Sequence, residues 1–540
     1  MPPKAIKSYS DLGLAPYHGN WGPQERLHLL RRCLFGVTQT DDHYFSNLTL
    51  SGCLDTILAQ SPFPSPPLNT YNSDKFVDPD VPFGETWISS NKEPDKGTMN
   101  YLRRCNLKAW WTGCMLNQDR SITQKMILFW HNHLAAEFEY MVDARTNYSY
   151  VEPLIKNSLG NFKELILEIT KSPGMLQYLS GNANTSSAPN ENYARELQEL
   201  FTVGKGRDFN YTQDDILAAA RVLTGLTTDK VELHSAYSPF AHDSDNKKFS
   251  SFYGDKIIQG RMGKGGEEEV SEMIDMIFSV KEVAKYTCRA LYRWFLSSEI
   301  NNTIEINIIE PLAEIFIKND FEIKPVLRSL LNSEHFFDPI YIGCQIKNPV
   351  DFLIGVCRQF DVSTFPADIR KQYQEWMLLW NQLEVLSMAP GSPPNVAGWV
   401  AYYLAPGYDK LWINSNTLVR RNSITDQLSS TQGLIDMETG SGITLNLDLL
   451  SFTTRCPDPS DVYRFITDST SILCPISFDS IQIDILTDIL MSSKENNDTW
   501  PNVWKAYLSN PDDQPIRHEI LSRLNRYYTY IFQRGEYQLL

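Results

Sequence analysis

Apolar residues recur along this chain at the three-to-four-residue spacing of a buried helical face, and Gly, Pro and capping residues punctuate the runs. Pro23 suits a first helical turn, and Gln24 to Leu34 follows with the periodic face His28-Leu29-Leu30 and Cys33-Leu34. The spacing predicts helices over 101–116 and 122–138. Asn161 caps 162–170, with Glu164 at the capping-box position and Pro173 just past the end. A helix from about Glu191 to Val203 stops at Gly204, and a second capping box, Thr212 with Asp215, opens 213–224, which Gly225 closes. Further helices are predicted at 267–279, 281–297, 304–318, 323–332, 350–359 and 371–384, and the last hundred residues are again mostly helical, ending in 519–534. Two stretches break the pattern. Residues 61–97 begin Pro-rich and read as loop, whereas 226–266 interleave Thr, Val, Tyr and Phe with Asp, Ser and Gly and read as a short β-hairpin or irregular excursion. No repeat of fixed period appears, which disfavours a solenoid.

Composition narrows the class. A chain of 540 residues suggests about three or four domains by length alone. With 42% hydrophobic residues and 12% aromatics it can bury a large core and is not a disordered protein. The net charge of −16 and the absence of a basic stripe argue against nucleic acid and against an anionic membrane surface. No stretch approaches the ~18 consecutive apolar residues of a membrane span. Met1 to Lys7 leads into polar residues with no apolar segment behind it, so the expectation is a cytoplasmic protein, or an exported one whose signal has been removed. The nine cysteines are scattered and form no C-x-x-C, which argues against a zinc ribbon, a thioredoxin-type site and covalent haem. Residues such as Cys288 and Cys357 read as small core side chains.

Candidate chemistry centres on Trp130-His131-Asn132-His133, polar groups set in an apolar helix that need partners there. In a regular helix the two rings point about 200° apart, so only a helix end or an extended segment lets them share one ion. The plain alternative is a pair of core histidines bonded to neighbouring helices. Glu137, one turn after His133, is positioned to share a metal with it. A second candidate is the stripe Glu191, Arg195, Glu199, with Asn192 and Glu196 beside it; taken alone, it reads as a solvated face with ordinary ion pairs. The third is His242-Asp243, followed by Asp245 and Lys248, in the irregular excursion; its plain reading is a polar turn. It lacks the Gly and Glu of an EF-hand. The Gly-rich loop 260–266 reads as surface, since Glu267-Glu268-Glu269 would repel phosphate. There is no G-x-S-x-G, no H-E-x-x-H and no nucleotide motif. Trp399 and Trp412, after the Pro-rich turn, read as core, with the lining of a cleft as the alternative.

Taken together, these strings resemble the uncharacterised bacterial family catalogued as domain of unknown function 1800. The resemblance runs through His28-Leu29-Leu30-Arg31-Arg32 with Phe35-Gly36, Phe129-Trp130-His131-Asn132-His133, Gly160-Asn161-Phe162 and Met175-Leu176 with Tyr178-Leu179. It continues through Asn190 to Leu197 with Glu199-Leu200, Arg221-Val222-Leu223-Thr224-Gly225, His242-Asp243, Pro393-Pro394-Asn395-Val396 with Gly398-Trp399, and Glu536-Tyr537-Gln538-Leu539. It implies one helical unit over 1–540 rather than unrelated domains, with N-terminal helices and loops (1–120), a motif-bearing core (121–225), the insertion (226–266), further helices (267–430) and C-terminal helices (431–540). It also implies a protein often exported and often encoded beside a sulfatase-like one.

The fold expected is therefore all-α, a single large multi-helix assembly with a small β-hairpin insertion. The function expected is a metal-dependent enzyme, an oxidoreductase or hydrolase, with its site where the three motifs converge. His131, His133, Glu191, His242 and Asp243 would ligate a divalent Fe, Mn or Zn ion. Glu196 would act as general base, and Arg195 or Arg145 would hold an anionic substrate group. The alternative is a non-catalytic binding or scaffold protein acting with a co-encoded sulfatase-like partner.

Overall fold

The computed structural model describes residues 13–90, 97–141, 143–205, 211–229, 234–362, 367–436, 442–491 and 499–540. The expectation about Met1 to Lys7 lies outside the described residues, as do 230–233 of the insertion. Helices dominate, and the only sheets among the described residues are three antiparallel two-stranded ribbons. The all-α expectation holds with that addition. β1 (Leu226–Thr228) pairs with β2 (Ser235–Tyr237), and β3 (Lys247–Lys248) pairs with β4 (Ile257–Ile258), both inside the expected excursion. The third ribbon, β5 (Leu434–Ile435) with β6 (Thr444–Leu445), lies in a stretch read as helical.

Local signals set many of the helix ends. Pro23 opens the helix Pro23–Cys33, Asn161 Oδ1 accepts the backbone N–H groups of Lys163 and Glu164 at the start of Phe162–Lys171, and Thr212 with Asp215 closes a reciprocal cap on Gln213–Val222. Gly204 and Gly225 follow their helices with φ of +98° and +88°, the left-handed region that only glycine enters freely.

Three differences from expectation matter for the site. The helix predicted over 122–138 ends at His133, so Glu137 sits in extended backbone and is not one helical turn from His133. A helix, Ala144–Lys156, occupies a stretch where none was predicted; Asp143 caps it, and Pro153 inside it masked the pattern. The 191–203 segment is a short α-helix, Asn192–Glu196, that widens into a π-helical turn, Leu197–Thr202.

One continuous apolar core runs from Leu27 to Tyr537. Thr98–Leu116 packs along Ile369–Val385, where Gly113 lies so close to the Trp376 indole that a Cβ would not fit. Sequence-distant segments are bolted together through buried cations: Arg358 donates to Phe35 O (2.7 Å), Arg31 to Cys474 O (2.8 Å), and Lys347 to Tyr537 O (2.6 Å). No helix among the described residues is long and apolar enough to cross a membrane. All nine cysteines are free, and burial pushes the Cys33 thiol up to about 12.

Candidate functional site

The segment His131-Asn132-His133 is the last turn of the helix Thr123–His133. Leu134 leaves helical geometry because distant partners hold the chain from there to Phe138: Tyr150 Oη donates to Leu134 O (2.9 Å), and the Phe138 N–H to Gly391 O (2.9 Å). The two histidines therefore stand at a helix end, the one arrangement that could have let them converge, yet they serve opposite sides. His131 Nε2 accepts the Gly391 N–H (2.9 Å), so the proton lies on Nδ1, which donates to Tyr150 Oη (2.8 Å). Its ring is enclosed by Trp111, Tyr150 and Trp399, and burial pushes its pKa down to about 3. With both nitrogens engaged, His131 has no lone pair for a metal. Asn132 Oδ1 accepts the Trp399 N–H (2.9 Å). Gly398, at φ +83°, lies against the Asn132 carbonyl, and a Cβ there would collide with it. His131 and Asn132 thus dock the Pro390–Trp399 turn, joining two strings that are about 260 residues apart.

His133 faces the other way. Its Nε2–H donates to Phe201 O (3.0 Å), a carbonyl in the last turn of the π segment. The proton on Nε2 leaves Nδ1 with its lone pair, and Nδ1 takes no hydrogen bond from the described residues. The ring stacks on Phe129 at 5.9 Å and borders a cavity of about 360 Å³. Burial pushes its pKa down to about 4, the Phe201 carbonyl partly offsetting that, so the ring is neutral at neutral pH.

The cavity is walled by Asn132 and His133, by Glu199 and Lys205 from the π turn and its exit, by Tyr286, Arg293 and Trp294 from the helix Lys281–Phe295, and by Tyr402 and Tyr403. Gly204 lets the chain pass close to Tyr286, its absent Cβ position only 2.7 Å from the ring. Glu199 is gripped on both oxygens, by Arg195 (3.3 Å) and Lys205 (2.9 Å). Arg195 also holds Glu191 (2.8 Å) and Gln213 (3.0 Å), so the expected stripe is a charge ladder whose end reaches the cavity. Glu191 and Glu196 are not among the cavity-lining side chains. Burial, then the charge of Glu199, raises the Glu196 carboxyl above its ordinary value.

The remaining predicted residues lie elsewhere. Arg145 pairs with Asp143 (3.0 Å) and donates to Ser90 O, an interaction that anchors the loop before Thr98–Leu116. His242 Nδ1 donates to Thr224 O (2.8 Å), while Nε2 stands 3.2 Å from Glu269 Oε1 and 3.5 Å from Lys247 Nζ. Lys247 and Glu269 are wholly buried and paired at 2.6 Å. Asp243 is held by Arg221 through two bonds (2.6 and 3.1 Å), which keep its carboxyl below the ordinary value against the pull of burial. The Gly-rich loop is not mere surface: Gly266 abuts His242 and Tyr237 with no room for a Cβ. Each of these groups is thus satisfied locally. Among the described residues no three His, Cys, Asp or Glu side chains gather as ligands for one ion.

Sequence reasoning passed over Tyr286, Ala290, Arg293 and Trp294. Their spacing puts them on one helical face, and a basic residue inside an aromatic stripe was the available signal. Trp399 and Trp412 are buried, as read.

No curated protein and no solved structure matches the chain. The family described as "Protein of unknown function (DUF1800)" matches residues 28–539, in agreement with the strings that meet at the His131–His133 turn, and the chain belongs to that family.

Proposed function

We propose that this protein is an enzyme acting on a small organic molecule in the cavity beside His133, with His133 Nδ1 as the proton acceptor. One observation carries the reading: of the three histidines singled out in the sequence, only His133 keeps a ring nitrogen without a partner among the described residues, and His133 lines a cavity. The Phe201 carbonyl fixes the tautomer and the ring orientation, the role an orienting group plays beside a catalytic imidazole. Neutrality at physiological pH keeps the acceptor unprotonated. The aromatic walls supply apolar contact, and Asn132, Glu199 and the tyrosines supply polar contact around it.

The oxidoreductase-or-hydrolase expectation narrows to proton transfer from water or a substrate hydroxyl. The donor set in this cavity offers a metal one free imidazole nitrogen and one carboxylate already held by two cations, so no step is assigned to an ion. The alternative of a binding or scaffold protein serving a sulfatase-like partner is favoured by one feature. Val400, Tyr403 and Leu404 are substantially exposed on the turn that forms one cavity wall.

The test is a turnover screen. Full-length protein is incubated with a pooled metabolite mixture and read by mass spectrometry beside His133→Gln, with metal content measured on both. We expect a mass conversion that the variant loses by at least 100-fold while its fold is retained. Conversion that survives in the variant would remove His133 from the chemistry. Stoichiometric metal present in the wild type and lost in the variant would return the site to the metal-centred expectation.

A further inference from the structure

The cavity's charges are unevenly matched, and this defines the ligand more narrowly. Its lining carries two cations, Lys205 and Arg293, and one carboxylate, Glu199, so it is positive by one in a chain whose net charge is −16. Lys205 and, from outside, Arg195 already satisfy Glu199. Arg293 is the remainder.

Comparison along one helix makes the point. Arg289, one turn earlier in Lys281–Phe295, is clasped by Glu282 and, at 2.9 and 2.6 Å, by Glu305. Arg293 makes no hydrogen bond or ion pair through its guanidinium with any described residue; its Nε is buried and unsatisfied, its guanidinium stands 5.3 Å from the Tyr408 ring, and its charge is felt by the Tyr286 hydroxyl. Asp351 and Asp409 share a smaller adjoining cavity with Arg293, but Asp351 is paired with Lys125 (2.8 Å), and Asp409 accepts the Ile346 N–H (3.1 Å). A guanidinium with a buried, unfilled donor is costly unless a partner arrives, and its fork matches a carboxylate or phosphate. The hydroxyl of Tyr286, on the same helical face, likewise has no hydrogen-bond partner among the described residues and stands ready as a second donor. Phe129, Trp294, Tyr402 and Tyr403 supply flat apolar walls.

We propose that the ligand of this cavity is a planar organic anion, an aromatic carboxylate in its simplest form, with its negative group on Arg293 and Tyr286 and its ring between the aromatic walls. The assignment rests on the cavity being the working site. It leaves Arg195 and Arg145, the cations expected from the sequence for this task, in structural pairs.

The experiment titrates full-length protein with 1-naphthoate and, in parallel, with its neutral isostere 1-naphthamide, followed by ligand fluorescence and saturation-transfer NMR. We expect the anion to bind at least tenfold more tightly than the amide. Arg293→Gln should abolish that preference by weakening the anion at least tenfold more than the amide, without lowering the urea midpoint. Arg293→Lys should recover part of it, and Tyr286→Phe should weaken the anion alone. Equal affinity for the two ligands, both displaced by the cavity-filling Ala290→Phe, would overturn the anion assignment and leave the cavity reading standing. Binding of neither ligand, or binding indifferent to Arg293 and to Ala290→Phe alike, would overturn both.

Discussion

Burial holds the rings of His131 and His133 in the neutral form, at pKa values of about 3 and about 4 against an ordinary 6.5. The unfolded chain therefore binds more protons than the folded one below pH 6.5. The stability these two rings contribute is complete above that value and is lost as the pH falls through 6.5, toward about 4 for His133 and about 3 for His131. At pH 5 each ring should cost about 2 kcal/mol relative to pH 7. Urea denaturation at the two pH values measures the drop, and imidazole resonances of both residues should show no titration above pH 5. The two histidines differ in everything except burial. His131 spends both nitrogens on the Gly391 N–H and Tyr150, whereas His133 spends one on Phe201 and leaves the other without a partner among the described residues. Residue type announced that this turn needed partners. Which histidine was free was not legible, because the partners of His131 and His133 come from positions 19, 68 and 260 residues away.

At the scale of elements, the insertion is attached to the helical body by charge as well as by its ribbons. Lys247 on β3 and Glu269 on the helix Glu268–Phe278 have no solvent exposure, and Glu269 also accepts the Arg261 N–H (2.7 Å) and faces His242. Lys247→Met leaves the carboxylate buried without its cation and should cost about 3–5 kcal/mol, because removing one partner strands the other. Denaturant unfolding measures the loss, and limited proteolysis should show new cleavage within 226–266. Replacing both partners by apolar residues should recover much of it. Caps and turns were legible at this scale: Asn161, Thr212 with Asp215, Gly204 and Gly225 act where the sequence placed them, since a cap is completed by atoms within a few residues. The end of the helix at His133 was not legible, because the Tyr150 hydroxyl and the Gly391 carbonyl hold the chain beyond it. Ala144–Lys156 was missed for the opposite reason: Asp143 and an apolar face announce it, but Pro153 interrupts a pattern that tertiary packing tolerates.

Across the whole molecule, the ties between distant segments favour one cooperative unit. The N-terminal helix Pro23–Cys33 reaches Cys474 through Arg31, the turn after it reaches Arg358, and Ile346 pairs with Leu539 in an isolated bridge. Scanning calorimetry should therefore show a single transition, with calorimetric and van't Hoff enthalpies in agreement; two resolved transitions would divide the unit. The sequence alone determined the helical class, many helix boundaries, the place of the insertion and the family, because periodicity, capping and turn chemistry are short-range properties of a chain. Only the tertiary structure decided that the polar strings are mostly docking bonds, that Arg195 and Arg145 are already paired, and that Arg293 is not. A charge or a lone pair becomes available for chemistry when the surrounding fold leaves it unmatched, and that matching is made by residues hundreds of positions away.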